Sequence, residues 1–225
     1  MVTTQADEAL QAKSIELCEI QGQLTQLVLL PNISWQTYQA MLDDMGSHRA
    51  ARVAYDDGVM TIKRPSELHE FLNRLLAYIV RTIAVELDLL CTDVGSMTLQ
   101  REELQKGAEP DTGFYIQNAI SEPDAASRIP TNLPPDLLVE VDITSPSTRR
   151  MSIYRALGIS EVWQYTKRDS VVIHHLTPRD YVEASVSIAF PQLTATQLNQ
   201  FLNDYKDDRQ LNRDICSWVQ SLKQK

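Results

Sequence analysis

The chain has 225 residues, a formal charge of −9, 43% hydrophobic and 23% charged residues, an ordinary globular composition long enough to bury a core. The acidic balance argues against a protein whose main business is gripping nucleic acid non-specifically, because that affinity comes from Lys and Arg neutralising phosphates. It leaves room for an enzyme whose metal-binding carboxylates are part of the excess.

The apolar run at 27–30 is far too short for a bilayer, which takes about 20 such residues. No basic-then-apolar segment opens the chain, so a cytoplasmic protein without a membrane segment is expected. Cys18, Cys91 and Cys216 are odd in number and scattered, which supports neither a disulfide framework nor a structural zinc site.

In chain order, residues 8–26 are helix-permissive but weakly patterned and are taken as part of a peripheral arm over 1–33. Ser34 can cap a short helix over 35–45, which Gly46 ends. Residues 52–63 alternate around Asp57-Gly58, the signal of a tight hairpin. After Ser66, apolar residues from Leu68 to Leu87 recur at helical spacing over more than five turns, so that helix must lie on something flat and apolar. Short apolar runs at 89–94, 97–100, 114–116, 137–143, 162–166 and 171–176 supply a mostly mixed sheet. Residues 147–157 predict a helix between the fourth and fifth of these runs. A polar helix or helix pair over 194–223 carries Leu211, Ile215, Trp218 and Leu222 on one face. That stripe suggests a homodimer, or else it folds back on its own domain. The architecture is α/β: a central mixed β-sheet flanked by α-helices, with a core at 34–190 and a C-terminal helical extension at 191–225.

Several chemistries lack their motifs. His69-Glu70 begins like HExxH, but Asn73 stands where the second His must fall. There is no GxSxG, P-loop or GxGxxG. His174-His175 lies in a strand, where neighbours point to opposite faces, so the pair cannot serve one site directly.

The informative stretch is 107–142. Glu140 and Asp142 sit two apart inside an apolar strand, so a regular strand projects both from one face. Acids there are expensive unless something compensates them. With Asp111, from the segment Glu109-Pro110-Asp111, they can form an all-oxygen cage for a hard cation such as Mg²⁺ or Mn²⁺. Such an ion can activate water beside a scissile phosphate. The plainer alternative is an ion pair with Arg149 or Arg150, or a solvated sheet edge. Pro135-Asp136 lies too near Glu140 to come from a separate strand, and Pro123-Asp124 falls in a polar loop.

These residues, with Phe114-Tyr115-Ile116, the run from Leu138 to Ser147, Tyr154, Leu157-Gly158-Ile159 and Glu161-Val162-Trp163, resemble the putative restriction endonuclease family of the PD-(D/E)XK nuclease superfamily. The resemblance extends over about 35–176. It implies a restriction endonuclease-like core, DNA as substrate, and metal-dependent phosphodiester hydrolysis. Asp111 corresponds to the motif aspartate and Glu140 to the motif glutamate, and Glu70 matches an acid that many relatives add to the metal site.

One departure stands out. Where the motif places lysine, two residues after the glutamate, this chain has Asp142, and no Lys occurs between Lys106 and Lys167. Arg149 and Arg150 occupy the helix where relatives often carry a lysine, and arginine can neutralise phosphate but cannot act as a base. The expected site is therefore Asp111, Glu140, Asp142 and Arg150, with Glu70 a weaker metal ligand. A catalytically silent DNA-binding or protein-interaction module is the rival reading, and an intracellular scaffold the third.

Overall fold

The computed structural model describes residues 15–20, 23–46, 50–119, 133–143, 148–168 and 170–223. Pro123-Asp124 and residues 1–14 of the expected arm lie outside them. Within that arm, the helix-permissive stretch forms two antiparallel strands instead, β1 (Ile15–Ile20) and β2 (Gln23–Leu30). Pairing of β2 with β4 (Val59–Arg64) decides this, since weak local preference yields to a partner strand. The hairpin of β3 (Arg52–Asp56) and β4 turns at Asp57 and Gly58, both at positive φ (44° and 84°), as the sequence predicts. With β6 (Leu99–Arg101) and β7 (Lys106–Ala108) these strands make one antiparallel sheet in the order β1-β2-β4-β3-β7-β6. Helix α1 (Trp35–Met45), capped by Ser34, covers one face of it. Trp35, Tyr38 and Leu42 bury there against Val53, Tyr55 and Met60, with Tyr38 stacked on Tyr55 at 4.9 Å between ring centroids.

A second sheet has the order β12-β11-β10-β9-β8-β5. Its members are β5 (Thr92–Gly95), β8 (Thr112–Tyr115), β9 (Leu137–Asp142), β10 (Glu161–Thr166), β11 (Ser170–Leu176) and β12 (Tyr181–Ala184). It is mixed, because β9 and β10 run parallel and the other neighbours antiparallel. The expectation of one sheet therefore becomes two. Alternation identifies a strand but not its partner, and the segment expected at 97–100 went to the first sheet.

Side chains of β9 divide strictly by parity. Leu137, Val139 and Val141 face helix α2 (Glu67–Glu86), capped by Ser66, where Leu76, Ile79, Val80 and Ile83 bury against them. Each such fully buried side chain is worth roughly 1.5–3 kcal/mol. Leu138 faces the other way, toward Ile153, Tyr154 and Leu157 of helix α3 (Thr148–Leu157) and toward Ala54, Leu99 and Ala108 of the first sheet. Glu140 and Asp142 share the parity of Leu138, so the fold carries both into the space between the sheets, beneath α3.

The C-terminal segment is a helix pair, α4 (Ala195–Asn203) and α5 (Asp208–Leu222). Its apolar stripe does not stay open for a second copy, because Leu211, Ile215 and Val219 belong to the core that α2 covers and Trp218 packs on Phe201. The argument for a homodimer from that stripe lapses. Among the described residues, no helix is long and apolar enough to cross a membrane.

Candidate active site

Asp111 closes the segment between β7 and β8, and four hydrogen bonds, two through Glu109 and two through Asn73, fix its approach. Glu109 accepts from the Val53 backbone N–H (2.9 Å) and from Thr98 Oγ1 (3.0 Å), tying the segment to the first sheet. Asn73 of α2 donates to the Asp111 carbonyl (3.2 Å) and accepts from Thr112 Oγ1 (2.9 Å). Thr112 lies opposite Val139 in register, which brings Asp111 alongside Glu140.

Asp111, Glu140, Asp142 and Arg150 all converge, each less than a tenth exposed. One oxygen of each acid is committed to a neutral or backbone donor or to an imidazole. Asp111 Oδ2 accepts from the Val141 N–H (2.8 Å) and faces His69 Nε2 (3.0 Å). Glu140 Oε1 accepts from Tyr154 Oη (2.5 Å), and Asp142 Oδ2 accepts from Gln164 Nε2 (2.8 Å). The other oxygen of each acid turns to the Arg150 guanidinium, at 3.9 Å from Asp111 Oδ1, 2.8 Å from Glu140 Oε2 and 3.6 Å from Asp142 Oδ1. Lys63 of β4 completes the cluster, with Nζ 3.8 Å from Asp142 Oδ1 and donating to the Val141 carbonyl at 3.4 Å.

Burial sets the protonation landscape. It pushes Glu140 up to about 8, with Asp111 and Asp142 adding to the push while Arg150 and the Tyr154 hydrogen bond oppose it. Burial works the same way on Asp111, but there the His69 hydrogen bond and the charges of Arg150 and Lys63 win and hold it below the usual carboxylate range. Burial and the nearby guanidinium lower Lys63, against the pull of the three acids. Burial disfavours the Arg150 charge, yet Glu140, Tyr154, Asp111 and Asp142 raise the group above its ordinary value, so it stays a cation.

Glu70 is not brought to this cluster. Its carboxylate pairs with Arg52 at 3.6 Å and is 37% exposed, because neighbours on a helix point about 100° apart and its neighbour His69 takes the inward direction. Sequence reading missed Lys63, His69 and Gln164. The HExxH-like start at His69 points only to zinc chemistry, and nothing in the sequence marks Gln164. His174 also connects, through Gln164 Oε1 at 3.0 Å, so this imidazole stands one side chain away from Asp142. Pro135-Asp136 is a loop pin: Asp136 accepts from the Ile116 N–H at 2.7 Å and from Asn118 Nδ2 at 2.6 Å.

The donor set fits a hard divalent cation, with three carboxylate oxygens aimed at one place. Among the described residues, however, no three acid, Cys or His side chains are drawn close enough to hold a metal ion as they stand. The Arg150 guanidinium faces all three acids at that place.

The fold thus carries three buried acids into one space walled by arginine and lysine. The chain belongs to the Uma2 family, described as putative restriction endonuclease, whose sequence pattern matches residues 35–212. Among solved structures, the chain is similar to one titled a putative nuclease belonging to DUF820, from Anabaena variabilis. Identity is 12% and the TM-score 0.48, over 83% of this chain and 99% of that one. No curated protein matches the sequence.

Proposed function

We propose that the protein is a DNA endonuclease that hydrolyses phosphodiester bonds with Mg²⁺ or Mn²⁺ held by Asp111, Glu140 and Asp142. The convergence of one oxygen from each acid on a single cation position carries this reading. A bound divalent ion there would supply an activated water and neutralise charge on the phosphate. The residues themselves do the rest. The Val141 N–H and His69 orient Asp111, Tyr154 orients Glu140, and Gln164 orients Asp142. Arg150 would have to give way to a bound ion and could then meet the phosphate as a bidentate donor. Charge balance favours this order. With Glu140 holding its proton up to about 8, Lys63 and Arg150 only balance Asp111 and Asp142 near neutral pH, and a divalent ion taking the place of that proton would leave a net positive charge facing the phosphate.

Thermal melting with and without Mn²⁺ tests the site. Saturating metal should raise the wild-type melting temperature by mass action and leave Glu140→Ala unmoved. Cleavage of supercoiled and linear DNA should fall by about a thousandfold or more in that variant. An equal metal-induced shift in both proteins would sink the proposal.

A second reading keeps the fold without turnover, as a DNA-binding or protein-interaction module. The observation in its favour is that Arg150 and Lys63 already compensate the acids. A wild-type chain that neither shifts in Mn²⁺ nor cleaves would establish it. A homodimer remains part of the proposal, resting now on Val85, Leu89 and Leu90, exposed together at the end of α2. Light scattering should give twice the mass of one chain, and a strictly monomeric protein rules it out.

A further inference from the structure

The motif lysine is missing from the strand that should bear it, yet a lysine stands in the cluster. We propose that Lys63, delivered by β4 of the other sheet, is the ammonium of this site and contacts a phosphate oxygen of the nucleic-acid strand. The inference rests on the nuclease reading above.

Strand parity places it there. Met60 and Ile62 turn to α1 on one face of the hairpin, so Lys63 turns to the opposite face, the side on which Ala54 meets α3 and β9. Its Nζ then lies 3.8 Å from Asp142 Oδ1, the side chain that occupies the motif position. The aspartate thus holds the amine that the sequence does not place there directly.

Pairing alone does not account for the lysine. Asp142 already accepts from Gln164 at 2.8 Å and faces Arg150 at 3.6 Å, and an ammonium only 6% exposed is costly to keep. Of the three N–H donors of an ammonium, one goes to the Val141 carbonyl and one points to Asp142, which leaves the third for a ligand. Exposure gives the direction of approach. The side chains of Asp111 and Glu140 are wholly covered, whereas Lys63 keeps 8%, Arg150 9% and Asp142 5%. Lys63, Arg150 and Asp142 therefore form the more open side of the cluster, the side from which a phosphodiester would arrive. Arg150 cannot take both parts, because a planar fork and a compact ammonium offer different geometry to a phosphate.

The test uses the full chain with Lys63→Gln and Lys63→Arg. Binding of a short fluorescent DNA duplex in Ca²⁺ is titrated against salt, Mn²⁺ affinity is measured separately, and cleavage is followed in Mn²⁺. Lys63→Gln should bind Mn²⁺ at least as tightly as wild type, lower the salt slope of DNA binding by about one, and cleave about 100-fold more slowly, in kcat rather than KM. Lys63→Arg should keep the slope and lose about tenfold in kcat. A folded Lys63→Gln protein with unchanged slope and unchanged cleavage makes Lys63 a structural counter-ion and overturns the proposal. If Lys63→Gln does not fold, Lys63→Arg decides, and wild-type cleavage by that variant overturns it. If the wild type cleaves no DNA, the nuclease reading fails by itself, while the difference in salt slope still decides the phosphate contact.

Discussion

Arg150→Gln should bind Mn²⁺ about tenfold or more tightly than the wild type, although it removes a residue of the site. Metal entry into the wild type has to displace a guanidinium that sits 2.8 Å from Glu140 and within 4 Å of Asp111 and Asp142. Gln abolishes that competition and the like-charge repulsion that follows it, while the Val141 N–H, Tyr154 and Gln164 still aim the three acids. Without metal the same variant should melt several degrees lower, because removing one partner of a buried charge cluster leaves the others uncompensated. Mn²⁺ should recover the loss. The pH dependence has a definite sign. Glu140 holds its proton up to about 8, and a proton competes with metal, so wild-type affinity should climb as pH rises toward 8 and level off above it. Arg150 is among the groups that pull Glu140 down, so the plateau of the variant should lie at higher pH. Isothermal titration across pH 6–9 measures both effects, and a weaker or unchanged affinity in Arg150→Gln would mean that the guanidinium is not the occupant metal must replace.

How much of this was legible follows from what each signal encodes. The α2 helix, the 52–64 hairpin and the strand, helix, strand unit around α3 carry strong local periodicity or turn chemistry, and the structure has all three. The convergence of Glu140 with Asp142 followed from strand parity alone, and the approach of Asp111 from the motif order. What could not be read was long-range pairing. Nothing local in residues 15–30 says that they add strands to a hairpin more than twenty residues further on. Lys63 likewise stands far from Asp142 in sequence, on a strand of the other sheet, and neither β9 nor α3 carries a lysine. A signal did exist, in a cation with the parity of Ala54 in a half-apolar hairpin, although Arg52, opposite Lys63 in register, shares that face. Glu70 misled for the converse reason: motif spacing put it near the site in sequence, while the helix turned it to Arg52 and turned His69 inward.

Asp142→Lys should abolish any cleavage and unsettle the fold, even though it writes the superfamily lysine back into its motif position. In the wild type the Asp142 carboxylate lies between two cations, with Lys63 at 3.8 Å and Arg150 at 3.6 Å, and takes a hydrogen bond from Gln164. An ammonium at that place would face two like charges with only Asp111 and Glu140 left to balance three cations. Breaking such a buried pair costs about 3–5 kcal/mol, and the variant also loses a metal oxygen. The reversed pair Lys63→Asp with Asp142→Lys keeps the number of charges and returns the ammonium to β9, so it should regain much of the lost stability. If Lys63 holds its charge only for Asp142, the swapped protein should match the wild type in melting but stay inactive. If the motif position itself is what matters, the swap should cleave at least as well as the wild type. We expect the single variant to melt lower, to bind Mn²⁺ more weakly and to nick no supercoiled DNA. Metal-dependent nicking by Asp142→Lys above the wild-type level would instead identify a nuclease that lost its lysine and never replaced it, with Lys63 a bystander.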